Sequence, residues 1–501
     1  MKLSQIQYSM RRLFLRIFYL IILFPSFVNA QQIKDVELDL METIRLANDS
    51  SLTIFRVRNG YLSDYWAFQS FKAARLPSLS LSATPAQYSR DFVKRYNSDQ
   101  NVDTYRRQSS YYGEATLNLQ QNIDFTGGTL FAQSGLSVIR NFGDNPFQQF
   151  SSIPIRVGYQ QDLIGYNPFK WSKLIAPLKF TKAEKGLIYG IEENSETTSQ
   201  YFFDLAIAQN ENDLARENLK NADTLYKIGI EKFKILSMGE ADLLTLKLDM
   251  MNARNSVQSA KTNLKRAMFT LTAHINKYRD ANIKVKIPDP PQKIEVNLSE
   301  LLRFAKENNP DILEGKQQLL ASQQALARTK IESQFNIGFN ATIGYSQIGS
   351  SFSQAYQSPL QQTVFSLGLT IPIIDWGVRK GNFNVAKSNM SIISLSAKET
   401  ETKLERELLM TIDEFSTQSE FIQTAFEALQ ISKRAYEQNK QRFIIGKTDI
   451  NSLTLSTNRM QNAQRNYMAV LKNYWQGYFK LRKLTLYDIN NRKPIRFYYP
   501  Q

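Results

Sequence analysis

LMETIRLANDSSLTIF at residues 40–55 and LSELLRFAKENNPDIL at residues 298–313 decide how this chain is built. The two stretches align without a gap at an offset of 258. Leu40/Leu298, Glu42/Glu300, Arg45/Arg303, Ala47/Ala305 and Ile54/Ile312 are identical, and the same offset carries Leu79, Leu81 and Ala83 onto Ile337, Phe339 and Ala341. Further along, an offset of 210 matches Tyr226/Tyr436, Phe233/Phe443, Ile235/Ile445, Leu243/Leu453, Asn252/Asn462 and Ala253/Ala463. Self-similarity at a fixed spacing marks a repeated structural unit. The chain is a duplication whose first copy is longer by about 48 residues.

Each copy has the same order. A helical segment (about 39–75 and 298–333) opens it, with apolar residues such as Leu40, Ile44 and Ala47 at helical spacing. Period-two alternation follows, the mark of a strand with two different faces. Ile337, Phe339, Ala341, Ile343 and Tyr345 alternate with Asn336, Gly338, Asn340, Thr342 and Gly344; Phe365, Leu367, Leu369, Ile371 and Ile373 alternate with Ser366, Gly368, Thr370 and Pro372. In the first copy Leu79/Leu81/Ala83 and Ile153/Ile155/Val157/Tyr159 play these parts. Between them, Ala115/Leu117/Leu119, a turn at Thr126-Gly127-Gly128 and an apolar run over Leu130–Ile139 read as an added hairpin. The segments 79–91, 152–161, 336–347 and 363–374 are the expected strands, four per chain.

A long helical tract closes each copy. No proline occurs from 178 to 287 or from 373 to 493, and proline is the strongest helix breaker. Leu246, Met250, Ala253, Val257, Ala260, Leu264, Ala267 and Leu271 are spaced alternately by four and three, as are Met460, Ala463, Tyr467, Val470, Tyr474, Gly477, Leu481 and Leu484. A sustained 3.5-residue period predicts coiled-coil packing.

Composition removes most soluble chemistry. The chain of 501 residues has 62 Lys+Arg against 46 Asp+Glu, no cysteine and one histidine. Without cysteine there are no disulfides, thiolate metal sites, Cys nucleophiles or lipidated N-terminal Cys. One histidine forbids a His-pair metal motif, and His274 extends the first helical seam by three residues. No metal or cofactor is expected. The positive excess of 16 is spread without a Lys/Arg block, so no nucleic-acid surface is expected. Gly446-Lys447-Thr448 resembles the end of a phosphate-binding loop, but Gln441 stands where that loop requires glycine. Tyr88, Phe92, Tyr96, Tyr111, Tyr112, Phe150 and Tyr159 fit either an interfacial girdle or ordinary strand and loop usage.

Residues 1–30 read as a secretory signal peptide: a basic start (Lys2, Arg11, Arg12), an apolar run from Leu13 to Phe24 broken by Arg16, and Val28-Asn29-Ala30 at the cleavage site. That run is shorter than the roughly 20 residues of a bilayer span. An exported chain without a spanning helix enters a membrane only as a closed β-barrel.

These features together resemble the outer-membrane efflux protein family of TolC-like ducts. The motifs that carry the resemblance are AARLPSLSLSA at 73–83, IPIIDWGVRKGNFNVAKSN at 371–389 and RFIIGKTDINSLTLSTNRMQNAQRNYMAVLKNYW at 442–475. The resemblance implies an α+β membrane protein: a homotrimer sharing an outer-membrane β-barrel of about 12 strands, embedded in outer-membrane lipid and continuous with a periplasmic α-helical coiled-coil barrel. It implies two partners, a periplasmic membrane-fusion adaptor and an inner-membrane efflux pump or secretion transporter. The expected organisation is a signal peptide at 1–30, helical segments at 31–78 and 298–333, and strand regions at 79–162 and 334–376. Coiled-coil helices follow at 163–287 and 377–485, with a linker at 288–297 and a tail at 486–501.

The resemblance also singles out residues. The helical turns, with Leu236, Ser237, Gly446, Lys447 and Thr448, are the expected adaptor-docking points. Asp242, Ser452 and Leu455 are the expected entrance constriction, with Lys447 or Arg442 as the counter-charge to Asp242. Leu236 departs from the family, which places glycine there, and Ser452 and Leu455 stand where aspartates are common. The main rival reading is an exported coiled-coil scaffold or adhesin without a pore, against which the paired strand and helix duplications argue. A soluble periplasmic enzyme ranks third, since no catalytic constellation can be assembled.

Overall fold

The structure is a computed structural model that describes residues 35–98, 101–142, 146–279, 281–445 and 447–496. The signal-peptide assignment at 1–30 and the docking residue Gly446 lie outside the described residues. The first copy contains β1 (Asp35–Leu38), α1 (Leu40–Ser50), α2 (Leu52–Ala73), β2 (Ser78–Asn97), β3 (Val102–Asn122), β4 (Thr129–Phe142), β5 (Phe147–Ile164), α3 (Pro168–Lys234) and α4 (Glu240–Ile275). The second contains β6 (Asn282–Val285), α5 (Leu298–Asn308), α6 (Pro310–Glu332), β7 (Asn336–Gly349), α7 (Gln354–Gln357), β8 (Leu360–Thr370), α8 (Val378–Ile444) and α9 (Ile450–Thr485), before the short β9 (Tyr487–Asp488) and β10 (Lys493–Pro494).

The duplication extends to single capping atoms. Asp39 Oδ1 accepts from Glu42 N at 2.7 Å to open α1, and Asn297 Oδ1, 258 residues on, accepts from Glu300 N at 3.3 Å to open α5. Ser51 Oγ accepts from Ile54 N at 3.2 Å to open α2, and its counterpart Asn309 Oδ1 accepts from Asp311 N at 2.9 Å to open α6. The helical segments at 39–75 and 298–333 are therefore each built of two helices. A buried side-chain cap offers the backbone a better exit than one more helical turn, and Pro310 removes the N–H that would continue α5.

The long helices set the length of the molecule. α3 and α8 have 67 residues each, and α4 and α9 have 36 each. At ~1.5 Å per residue the longer pair span about 100 Å. Far from the sheet the helices lie side by side in the order α4–α3–α9–α8; near it the order is α2–α3–α6–α8. At mid-length, Phe202, Phe203, Leu408, Phe415, Leu471, Tyr474 and Leu481 form the main buried core. The seam of α9 is buried at Met460, Tyr467, Val470, Tyr474, Leu481 and Leu484, whereas that of α4 is buried only at Leu246, Ala260 and Leu271.

The sheet corrects the expected strand number. Its order is β2-β3-β4-β5-β7-β8, every neighbour antiparallel. Among the described residues the sheet has six strands, not four, because the added hairpin β3–β4 pairs along its length with β2 on one side and β5 on the other. Register sorts the side chains onto two faces. One face carries Leu79 and Leu81, then Leu117 and Leu119, Ala132 and Leu136, Ile155 and Val157, Phe339 and Ile343, and Phe365, Leu367 and Leu369. The other carries Ser80 and Ser82, Asn118 and Gln120, Gln133 and Ser137, Gln160, Asn340, Ser366 and Gly368. An apolar outer band with a polar inner face is the pattern of a membrane barrel wall. Leu79, Leu81, Leu117, Leu119, Leu367 and Leu369 are all exposed in the single chain, as a lipid-facing band requires.

β8 ends at Thr370, four residues before the expected limit, since Pro372 has no N–H to give the ladder. Beyond it Asp375 turns the chain into α8: its carboxylate accepts from Gly377 N at 3.1 Å and Arg379 N at 3.0 Å. The Arg379 side chain adds an ion pair with the same carboxylate. Among the described residues no helix is long and apolar enough to cross a membrane.

Candidate functional site

The two helical hairpins turn at the end farthest from the sheet. After α3 the chain enters the left-handed region at Leu236, φ 57°. Leu236 N donates to Phe233 O at 3.0 Å and Ser237 N to Lys232 O at 2.8 Å, closing the helix end; Leu243 N donates to Gly239 O at 3.2 Å, starting α4. The second turn repeats this 210 residues later. Lys447 N donates to Arg442 O at 2.8 Å and Leu453 N to Asp449 O at 3.4 Å. The turn thus needs a left-handed residue between Ile235 and Ser237, where an L side chain costs roughly 1–2 kcal/mol and glycine far less. That is the physical content of the departure at Leu236.

The turns differ in chemistry. In the second, Asp449 Oδ1 accepts from Ser452 N at 2.7 Å while Ser452 Oγ donates to Asp449 Oδ2 at 3.2 Å. These bonds hold the Asp449 carboxyl below its ordinary value. In the first, Gly239 caps without a side chain, and Glu240 and Asp242 sit in the opening turn of α4, where the helix dipole favours carboxylates. Sequence reasoning did not single out Asp449, although an Asp three residues before a Ser at a helix start is a capping signal.

The expected constriction residues therefore have different surroundings. Asp242 stands free of any ion pair among the described residues, with neither Lys447 nor Arg442 beside it; Ser452 is bonded to Asp449; Leu455 is 51% exposed. Leu236 is 91% exposed, and Ile235 and Ile445 are exposed beside the turns. Each turn thus carries exposed apolar side chains.

Just above the turns, Tyr436, Leu453 and Met460 are buried against Leu225 and Phe443. Tyr436 Oη accepts from Asn221 Nδ2 at 2.9 Å and donates to Glu217 Oε1 at 3.3 Å. Burial, then the nearby Glu217 charge, pushes this phenol up. A cavity of about 350 Å³ opens here, lined by Leu225, Ile228, Leu246, Tyr436, Phe443 and Leu453 among others. His274 lies far from the turns, its Nε2 3.0 Å from Thr198 Oγ1 and its ring edge-on to Tyr201.

Three solved structures share this architecture. The Campylobacter jejuni CmeC outer membrane channel is 16% identical, with 91% of this chain and 87% of that one covered at a TM-score of 0.64. A membrane protein from Pseudomonas aeruginosa is 15% identical over 89% and 90%, at 0.62. The outer membrane protein VceC of Vibrio cholerae is 14% identical over 90% and 95%, at 0.60. No curated protein matches the chain by sequence. At such identities the likeness is one of fold, and the molecule has the TolC-like fold of outer-membrane channels. Residues 301–485 match the family model described as outer membrane efflux protein. That match lies within the second copy of the duplication, so the chain is similar to this family there and shares the fold of the outer-membrane channels over about 90% of its length.

Proposed function

We propose that three copies of this chain form the exit duct of a tripartite efflux or type I secretion system. The duct passively conducts cargo delivered by an inner-membrane transporter through a periplasmic adaptor. One observation carries the reading: the same chain has an apolar-faced sheet at one end and, about 100 Å of helix away, two turns of matching hydrogen bonding with exposed apolar tips. On this reading 79–162 and 334–376 belong to the membrane region, and 31–78, 163–287, 298–333 and 377–485 to the periplasm.

The adaptor docks at Leu236, Ser237, Gly446, Lys447 and Thr448, where peptide groups at the helix ends meet an incoming helical hairpin. Cysteines placed at Ser237 and Thr448, in a chain with none of its own, will cross-link to the adaptor in exporting cells. Export without cross-links at either position overturns this docking site.

The entrance closes at Asp242, Ser452 and Leu455, with Asp242 meeting Lys447 or Arg442 of a neighbouring tract. A single exposed pair contributes about 0–1 kcal/mol, so threefold repetition and packing at Leu455 supply the remainder. Heat-modifiable trimers in an outer-membrane fraction test the assembly. Planar-bilayer recordings test the gate: Asp242→Ala and Leu455→Ser are expected to change conductance or ion selectivity, and two variants indistinguishable from the parent remove the constriction from these residues.

A further inference from the structure

We infer that the added hairpin β3–β4 is part of the barrel wall, and that the free edge of β2 pairs with the free edge of β8 in the next copy. In the trimer proposed above, on which this inference rests, the barrel then has eighteen strands. β2 and β8 are the two ends of the sheet, and among the described residues each has a partner on one side only. Unpaired peptide groups facing lipid cost several kcal/mol each, so a sheet in a bilayer must close. Six strands alternating in direction leave β2 and β8 antiparallel where copies meet. Both edges point leucines outward and small polar residues inward, so a second copy of this chain fits each edge.

Register fixes the geometry. One hydrogen-bonded row runs from Ser78 through Gln120, Phe131, Gly158 and Thr342 to Val364. Val364 lies six residues before Thr370, where β8 ends. β2 begins and β8 ends at the helical side of the sheet, so the row climbs about 20 Å, at ~3.3 Å per residue, while crossing five strand spacings, about 24 Å at ~4.8 Å each. The strand tilt is about 40°, within the range of closed barrels.

At that tilt six strands occupy about 38 Å of circumference. Each chain also lays four helices abreast, which at ~9 Å apart occupy about 36 Å. Four strands would cover only about 25 Å. The hairpin thus gives the barrel the girth of the helical tube beneath it, and three copies close a wall with a backbone diameter of about 36 Å.

Single-particle imaging of the full-length protein in lipid nanodiscs tests this directly. A threefold ring with eighteen strands is the expected result. A threefold ring of twelve strands, with β3–β4 outside it, overturns the inference and leaves the trimer standing; a particle without threefold symmetry overturns both. Cysteine pairs give an independent reading in native membranes. Leu81→Cys with Leu117→Cys, and Ala132→Cys with Val157→Cys, will form disulfides; Leu81→Cys with Val157→Cys will not. Cross-linking of the last pair in place of the first two would remove the hairpin from the wall.

Discussion

α4 and α9 are copies of one helix with different fates. Both have 36 residues and both return from a turn of the same hydrogen bonding. Phe269 of α4 and Phe479 of α9 occupy equivalent positions, yet Phe269 is 73% exposed and Phe479 is 4% exposed. The cause is location: α9 lies between α3 and α8, while α4 packs on α3 and leaves its far side open. Exposed Leu244, Leu248 and Met251 continue the open side of α4, and exposed Ile392, Leu395, Met410 and Phe421 line α8 at the other end of the row. A duplicated sequence builds the same helix twice, but its neighbours decide which apolar face is core and which is left exposed.

The largest test of this contrast is ionic. Arg482 of α9 binds both carboxylate oxygens of Glu192 at 2.8 Å and lies 3.0 Å from Asp488, whereas the equivalent residue of α4 is Thr272, bonded to Phe269 O at 3.1 Å. Arg482→Met leaves a buried carboxylate without its partner and will cost about 3–5 kcal/mol in denaturant unfolding. Thr272→Ala will cost about 1 kcal/mol. Equal losses would break the contrast.

Phe479→Ala will destabilise the chain by about 3–5 kcal/mol. Phe269→Ala will leave the unfolding of the separated chain within about 0.5 kcal/mol of the parent while lowering the temperature at which trimers dissociate in detergent. A Phe269→Ala trimer as heat-resistant as the parent would place the copy-to-copy contact elsewhere.

At the turns the expected change is smaller. Leu236→Gly relieves a left-handed leucine and will slow amide exchange at Ser237 by a factor corresponding to about 1 kcal/mol. Faster exchange would mean that the leucine side chain holds the turn.

The smallest effect is one of pH, at the position where α4 has His274 and α9 has Leu484. Burial disfavours the imidazolium and lowers the pKa of His274, so the unfolded chain, titrating near about 6.5, takes up the proton first. This contribution to stability is present above that pH and is lost as pH falls toward the lower folded pKa. His274→Leu will flatten that part of the pH dependence in unfolding curves taken between about pH 8 and pH 5. An unchanged slope would mean that His274 is solvated in the folded chain.

Local pattern alone determined much of this protein. The offsets of 258 and 210 reveal the duplication, period-two alternation finds the strand segments, and proline-free heptads find the long helices, because each is a signal between residues close in sequence or copied whole. The breaks at Ser51 and Asn309 were also written there, as side-chain caps beneath an unbroken apolar pattern. Only the tertiary structure decided what pairs with what. Alternation at Ala115–Leu119 and Leu130–Ile139 marks strands but says nothing of their neighbours, and hydrogen-bond register alone placed them inside a six-stranded sheet. The same holds for Phe269 and Phe479. Identical residues on matching helices acquire opposite burial because the hydrophobic effect acts on surface removed from water, and that surface is fixed by neighbours distant in sequence.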